Sequence, residues 1–392
     1  MSYTYRTPAV YREEVFLRPA EQLPTGVPGF VGFGQTSSGG PVLLHRADDL
    51  APQFVAAPIA GAALVDAVRG FFANGGRRCY VVGALPDASH PALAAAGLAG
   101  AISKLGPLAD LDLVAAPDAM LLHALDPDAS LEVQRAVLAH CAEHGNRFAL
   151  LDTPPDLNPA VAKTVDALKA LRDALGQGGA NMANAAIYYP WVLVETDAAG
   201  RQRAVPPCGH VAGVYARSDG RVGVFKAPAN EELLGLADLE FEIDAVTQDS
   251  LNPEGINCLR AFPGRGLRVW GARTLSSDPS WRYVNVRRVF LTLGRWIERN
   301  MTWATFEPND ARLWNRITRE LDGYLAGLLQ QGALRGGTAA QAYYIKCDAE
   351  TNPAEDRETG RVTTVIGLAP AVPGEFVVVR IVQREGAALL SA

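Results

Sequence analysis

Helix-length amphipathic segments alternate with short apolar segments between residues 23 and 200. The short segments are typical of buried strands, because they are continuously apolar and end at turn residues. In chain order the clearest segments are helix Ala60–Asn74, strand Cys79–Val82, helix Leu131–Glu143, strand Phe148–Asp152 and helix Pro159–Leu175. Such alternation predicts an α/β layer, and we assign residues 23–255 to one α/β domain.

The C-terminal third has a different pattern, dominated by two long amphipathic helices over Val284–Met301 and Asp310–Gln331. Arginines of the first helix lie largely off its apolar face: Arg288, Arg295 and Arg299. Predicted strands flank the helix pair: Cys258–Phe262, Leu267–Thr274, Ala342–Cys347 and Arg361–Ala369. We therefore expect a second, α+β domain over residues 256–370.

The sequence predicts an extended segment at each chain end, with few apolar residues nearby to bury it. Residues 1–22 form a predicted arm, since Pro8 disfavours a helix in a stretch rich in Tyr, Val and Thr. Within residues 371–392, the strand Glu375–Gln383 is apolar on both faces. Such a strand needs neighbours on both edges, either inside its own sheet or in the sheet of another subunit. The pattern alone favours its own sheet.

The charge is unevenly distributed along the chain. Residues 261–392 carry 17 basic and 13 acidic groups, whereas the remainder carries 19 and 29, for a net charge of −6. A basic C-terminal part suits nucleic acid or a negatively charged protein surface.

Signatures of catalysis and metal binding are absent from the sequence. It has no G-x-S-x-G, no phosphate-binding loop and no pair of cysteines in C-x-x-C spacing. His140 and His144 have i, i+4 spacing without an evident third ligand. Asp152, at the end of a predicted strand, is the best enzyme candidate. We predict no catalytic residue, cofactor or metal; the alternatives are an α/β hydrolase-like enzyme using Asp152 and an Arg-rich nucleic-acid-binding protein.

Targeting and membrane signals are also absent. Met1–Arg6 show no apolar region of a signal peptide, and no stretch is apolar enough to span a membrane. We therefore expect the chain to fold in a cytoplasm.

A set of ordered motifs across nearly the whole chain resembles the contractile tail sheath family of myophage tails, R-type pyocins and phage-tail-like injection systems. The motifs that carry the resemblance are Thr7–Val15, Val27–Phe33, Phe71–Gly76, Tyr189–Trp191, Lys226–Asn230, Leu251–Pro253, Gly271–Leu275, Trp281–Arg288, Phe306–Asp310 and Phe376–Gln383. The opening motif departs at Ala9, where the family often has glycine.

The resemblance implies an outer α/β domain and an inner, tube-facing domain in a subunit of helically stacked hexameric rings. It further implies that the N-terminal arm and C-terminal strand are donated to neighbouring subunits, which reverses the choice that the pattern alone favours. The implied interface residues are Val10, Tyr11, Val15, Phe376, Val377, Val378, Val379, Ile381 and Val382. Those for the tube are Arg312, Arg316 and Arg319 on the second long helix.

The implied partners are other copies of the chain, an inner tail tube protein, and baseplate and terminator or cap proteins. Direct nucleic-acid binding and membrane insertion are not expected. The resemblance places the assembled protein in a virion tail or a phage-tail-like particle, and it implies contraction that drives the tube through a target envelope.

Overall fold

The computed structural model describes residues 23–56, 62–85, 90–161, 163–177, 181–196, 200–376, 381–384 and 387–390. Its strands are β1 (Pro28–Phe33), β2 (Gln35–Thr36), β3 (Val42–Leu44), β4 (Phe54–Ala56), β5 (Cys79–Ala84), β6 (Leu113–Ala115), β7 (Phe148–Asp152), β8 (Ala185–Tyr189), β9 (Val192–Glu195), β10 (Gln202–Val205), β11 (Glu231–Glu232), β12 (Asp238–Leu239), β13 (Ile256–Phe262), β14 (Gly266–Val269), β15 (Tyr343–Lys346), β16 (Val365–Leu368), β17 (Ile381–Arg384) and β18 (Ala387–Leu390).

The helices have the following bounds: α1 (Leu64–Ala73), α2 (Pro91–Ser103), α3 (Ala119–His123), α4 (Pro127–His144), α5 (Thr164–Gly176), α6 (Cys208–Arg221), α7 (Ala245–Leu251), α8 (Val284–Asn300), α9 (Ala311–Gln330), α10 (Ala339–Ala342) and α11 (Ala354–Glu358). The mixed α/β composition confirms the predicted fold class.

A nine-stranded sheet organises the first two thirds of the chain, in the order β11-β14-β13-β8-β7-β6-β1-β5-β3. Its six central strands, from β13 to β5, run parallel to one another. Antiparallel strands close both edges, with β3 on β5 and β14 on β13. Helices cover both faces and bury two separate apolar cores, which explains why the central strands are continuously apolar.

Helix α6 was not predicted, because its sequence is interrupted by glycine at Gly209, Gly213 and Gly220. Two of these glycines allow α6 to lie directly against α1. A Cβ atom added at Gly209 would meet the Ala67 carbonyl oxygen at 2.3 Å, and one at Gly213 would meet the Phe71 carbonyl oxygen at 2.4 Å. Helix packing at this distance therefore overrides the low helix propensity of glycine.

The long helices α8 and α9 form a second structural unit with β15 and β16. Both helices confirm the predicted segments to within one residue at each end, and the Asp310 carboxylate caps α9 by accepting from the N–H groups of Arg312 and Leu313. The antiparallel pair β15–β16 packs its apolar face on these helices. Two of the predicted C-terminal strands are thereby found as well.

The predicted division at residue 256 cuts through the large sheet and is wrong for two strands. β13 pairs with β8 in parallel, and β14 pairs with β13 through a hairpin, so both belong to the α/β unit. The sequence did not reveal this, because a hairpin signal carries no information about which sheet it joins.

None of the helices in the described part of the chain is long and apolar enough to cross a membrane.

Candidate interaction surface

The pair β15–β16 is an incomplete sheet. Within the described ranges no third strand pairs with either of its edges. One face is covered, since Tyr343, Ile345 and Ile366 pack against α8 and α9. Unpaired strand edges readily accept a further strand, because they present free N–H and C=O groups. The geometry therefore favours this sheet as an acceptor for strands from elsewhere.

The other face of the same sheet is open. Tyr344 is 58% exposed, and its ring lies over Gly367, the residue that it opposes across the ladder. A Cβ atom at Gly367 would approach the Tyr344 ring to 2.0 Å, so glycine is needed to seat this aromatic ring. Val365, on the same face, is 41% exposed. An exposed aromatic and aliphatic face beside open edges is suited to contact with a partner.

The C-terminal segment carries a further exposed apolar side chain. Phe376 is 75% exposed and lies outside any strand. β17 begins at Ile381 and pairs antiparallel with β18, in a hairpin separate from the other described sheets. β17 contains the last three residues of the strand predicted over Glu375–Gln383, whereas Glu375 and Phe376 lie outside any strand and residues 377–380 lie outside the described residues.

Only some of the predicted interface residues belong to the described part of the chain. Ile381 and Val382 lie on β17. Outside the described residues lie Val10, Tyr11, Val15, Val377, Val378 and Val379.

The predicted tube-facing arginines lie together on an exposed face of α9: Arg312, Arg316 and Arg319. The Arg316 guanidinium stacks on the Trp303 ring at 3.5 Å and lies 3.4 Å from the Glu320 carboxylate. Trp303 in turn donates its indole N–H to Glu320. This contact holds Arg316 close to the helix surface, in a fixed orientation.

A buried ionic cluster joins the two structural units. Arg288 of α8 is 2% exposed and donates to both carboxylate oxygens of Asp219, at 2.9 and 2.6 Å, and to Asp112 at 3.0 Å. Burial alone would lower the pKa of Arg288, but Asp219 and Asp112 raise it above its ordinary value. The guanidinium therefore stays charged inside the protein.

The same cluster fixes the first described residues of the chain. Asp112 accepts hydrogen bonds from the N–H groups of Gly26 and Val27. Arg295 of α8 is 3% exposed and donates to the Pro24 carbonyl oxygen at 2.7 Å. The residues that directly follow the predicted N-terminal arm are thus held by the helix that links the two units.

Arg288 and Arg295 are buried, whereas the sequence pattern predicts that they lie largely off the apolar face of α8. The helix has two buried faces, since Val284 and Leu291 pack on the α/β unit whereas Leu293 packs on the second unit. The spacing of residues 284, 288, 291 and 295 is that of one helix face. That spacing was the available signal, but the charge of two members concealed it.

Asp152 is a structural carboxylate in a closed environment. It is 3% exposed, and it accepts a hydrogen bond from the N–H of Cys208, the first residue of α6. Burial raises its pKa to about 7. The Asp152 side chain thus lies at the N-terminus of α6, but the cost of burying its charge outweighs the favourable interaction of a carboxylate with a helix N-terminus.

The histidine pair has no metal-binding surroundings. The rings of His140 and His144 lie 4.5 Å apart. Burial and the adjacent Arg147 lower the pKa of His140 to about 4, and a neighbouring guanidinium repels cations. No group of three or more potential metal ligands is found among the residues that the model describes.

Replacing Asp152 by asparagine is expected to stabilise the subunit at high pH. Folding raises the pKa of Asp152 above its value in the unfolded chain. The protonated carboxyl therefore contributes its full stabilisation of the folded state below pH 4, and this stabilisation is lost as the pH rises through about 7. At pH 8 the Asp152→Asn variant should be more stable by roughly 2–4 kcal/mol. Urea unfolding at pH 5 and pH 8 measures this; a difference that does not grow with pH would contradict it.

Comparison with known proteins decides the family. Residues 96–275 match the model of the phage tail sheath protein central domain, and residues 276–384 match that of the phage tail sheath C-terminal domain. The chain belongs to the phage tail sheath protein family. The resemblance found in the sequence is thereby confirmed, and the sheath interpretation is favoured over the enzyme and nucleic-acid alternatives. The two models meet at residue 275, after β14, in agreement with the sheet topology.

Chains of solved contractile assemblies share the fold over nearly the full length. A chain of the six-fold-symmetrised baseplate of the anti-feeding prophage is 31% identical, with a TM-score of 0.75, covering 97% of this chain and 100% of that one. A chain of the contracted PVC sheath complex, an extracellular contractile injection system, is 28% identical, with a TM-score of 0.74, covering 98% and 99%.

Similarity to curated relatives is more partial. The tail sheath protein of Vibrio phage KVP40 is 26% identical over 186 residues, which is 46% of this chain and 27% of that protein. The chain spans less than half the length of the curated tail sheath proteins it matches.

Proposed function

We propose that this sheath-family chain polymerises as helically stacked hexameric rings around an inner tube and contracts to drive the tube through a target envelope. The observation that carries the proposal is the sheet β15–β16, which has a covered apolar face and whose edges pair with no third strand among the described residues. The sequence predicts an extended segment at each end, residues 1–22 and 371–392, and these segments would complete such a sheet in a neighbouring subunit. The similarity to a chain of a contracted sheath complex supports the same conclusion.

Strand donation would link the subunits. Main-chain hydrogen bonds supply affinity in this arrangement, and alternate side chains select the register. In this proposal the N-terminal arm contributes Val10, Tyr11 and Val15. The C-terminal segment contributes Phe376, Val377, Val378, Val379, Ile381 and Val382.

Contraction would be a rigid-body change between two packings of the same subunits. The extended lattice is held by its tube and baseplate contacts, and release lets the subunits slide and rotate into a packing of lower free energy. New subunit contacts supply that free energy, so the chain needs neither nucleotide nor catalysis. The donated strands keep the lattice connected during the movement.

The tube contact is proposed for the exposed face of α9 with Arg312, Arg316 and Arg319. Arginine is enriched at interfaces because its planar guanidinium forms paired hydrogen bonds with carboxylates. An acidic tube exterior would complement this face. The further partners proposed are baseplate and terminator or cap proteins, with assembly in the bacterial cytoplasm.

Electron microscopy of the purified chain tests the function. We expect long tubes with a six-fold, cogwheel-shaped end view, because a helical lattice of hexameric rings has that projection. The variant in which Arg312, Arg316 and Arg319 are all replaced by glutamate should still form contracted-type tubes, but it should not assemble around the tube protein.

Two outcomes would count against the proposal. Discrete particles at all concentrations would contradict polymerisation, and salt-sensitive DNA binding by such particles would favour the nucleic-acid alternative. Unchanged assembly of the triple-glutamate variant around the tube would remove α9 from the tube contact.

A further inference from the structure

The C-terminal segment crosses from the second unit back to the α/β unit before it leaves the subunit. After β16, the N–H of Arg335 donates to the Ala369 carbonyl oxygen, and the N–H of Ala371 donates to that of Ala333. The Asn285 side chain of α8 then donates to the Ala371 carbonyl oxygen at 3.0 Å. Residues 372–374 continue along one wall of a cavity of about 810 Å³ beside the large sheet.

This path reaches Glu375, whose carboxylate accepts several hydrogen bonds. Its carboxylate accepts from the Arg273 guanidinium at 2.9 and 2.6 Å, from the Asn252 amide at 2.7 Å and from the Tyr283 hydroxyl at 3.0 Å. The Arg273 and Glu375 side chains are 11% and 20% exposed. Paired Arg–carboxylate contacts of this kind are among the stronger and more directional polar contacts in proteins.

The groups that receive Glu375 are held in place independently of it. The N–H of Arg273 donates to the Asn257 side chain at 2.7 Å, and its guanidinium also donates to the Asn252 carbonyl oxygen at 3.0 Å. Tyr283 forms a backbone bridge to Arg273. These three donors come from the loop after α7, the segment after β14 and the start of α8, so the receiving site is part of the rigid α/β unit.

The residue after Glu375 is exposed to solvent, in contrast to the Glu375 side chain. Phe376 is 75% exposed, and 16 residues follow it to the C-terminus. Fully extended, 16 residues reach about 50 Å. A fixed starting point matters for such a segment, because the effective concentration of a tethered strand at its acceptor depends on where the tether begins and how freely it moves.

We propose that Glu375, bound by Arg273, Asn252 and Tyr283, is the anchor of the C-terminal arm: it fixes the exit point of the arm on the α/β unit and transmits load from the donated strand to that unit. Glu375 acts as a positioning residue for the donated strand. This inference rests on the proposed strand donation. It adds that the segment up to Glu375 stays on its own subunit while the segment after Phe376 goes to the neighbour.

The test compares full-length chains carrying Glu375→Gln, Arg273→Lys or the matched control Asp249→Asn. Asp249 lines the same cavity and is exposed, so its replacement changes the charge equally without touching the anchor. For Glu375→Gln we expect hydrogen exchange in residues 369–376 of the free subunit to accelerate at least tenfold. The critical concentration for tube formation should rise at least tenfold, with an unchanged urea midpoint. Arg273→Lys keeps the charge but loses the paired contact, and it should give smaller changes of the same sign.

Three results would overturn the anchor. Glu375→Gln could match Asp249→Asn in exchange and in critical concentration while truncation after Phe376 still abolishes tubes; strand donation would then stand without an anchor. A raised critical concentration for tubes without faster hydrogen exchange in residues 369–376 would also contradict the anchor. If the truncated chain forms tubes, strand donation itself is wrong and the anchor is wrong with it.

Discussion

Chains that end after Phe376 are expected to fold normally and to lose polymerisation. The cut removes residues 377–392, including β17 and β18, which form a hairpin separate from the other described sheets. The buried cores of both structural units lie before residue 372, and the Glu375 contacts are retained. We therefore expect the urea midpoint of the subunit to change little, whereas the critical concentration for tubes should rise more than 100-fold.

Sedimentation and negative-stain microscopy measure this effect directly. Cutting before Glu375 would be a less specific experiment, since it also removes the carboxylate that binds Arg273. A chain without residues 1–22 provides a comparison for the other arm and should also fail to form a connected lattice. Tubes of normal length from the chain that ends at Phe376 would refute strand donation by the C-terminal segment.

Replacing Arg288 by methionine is expected to be among the most destabilising single changes in the chain. It leaves Asp219 and Asp112 buried without their common cation, and both are less than 10% exposed. Burial already raises the pKa of Asp219 even with Arg288 present, so the unpaired carboxylate is costly in the folded state. Removing one partner of a buried ion pair typically costs about 3–5 kcal/mol.

Urea unfolding at pH 7 tests the prediction, with Arg312→Met as the matched control. Arg312 is an exposed arginine of α9, and its replacement should change the free energy of unfolding by less than about 0.5 kcal/mol. Adding Asp219→Asn to Arg288→Met should recover part of the loss, because it removes one of the unpaired charges. Equal effects of Arg288→Met and Arg312→Met would show that the buried cluster contributes nothing to stability.

The cluster also has a mechanical consequence for the proposed contraction. Arg288 and Arg295 hold α8 to the α/β unit and, through Asp112 and Pro24, hold the residues that follow the predicted N-terminal arm. Movement between subunits would therefore leave each subunit intact, because its two units are joined by contacts that are expensive to break in a buried environment.

The sequence by itself determined the elements whose apolar pattern follows from local burial. Helices α8 and α9, the central strands and the strands β15 and β16 were predictable because their apolar spacing follows directly from local burial. Ordered motifs along the chain also sufficed to indicate the sheath family. The acceptor character of β15–β16 followed only once its lack of a third strand was visible in the described residues.

Tertiary structure decided the features that depend on partners distant in sequence. Arg288 is buried because Asp219 and Asp112, 69 and 176 residues away, converge on it, and polarity alone had placed it at the surface. The β13–β14 hairpin joins the large sheet because β8 offers it an edge. The sequence predicts that Glu375 begins a strand, but the structure places it outside any strand, where it binds Arg273, 102 residues earlier. Local sequence specifies which side chains seek burial or charge, whereas the fold alone specifies which distant groups meet them.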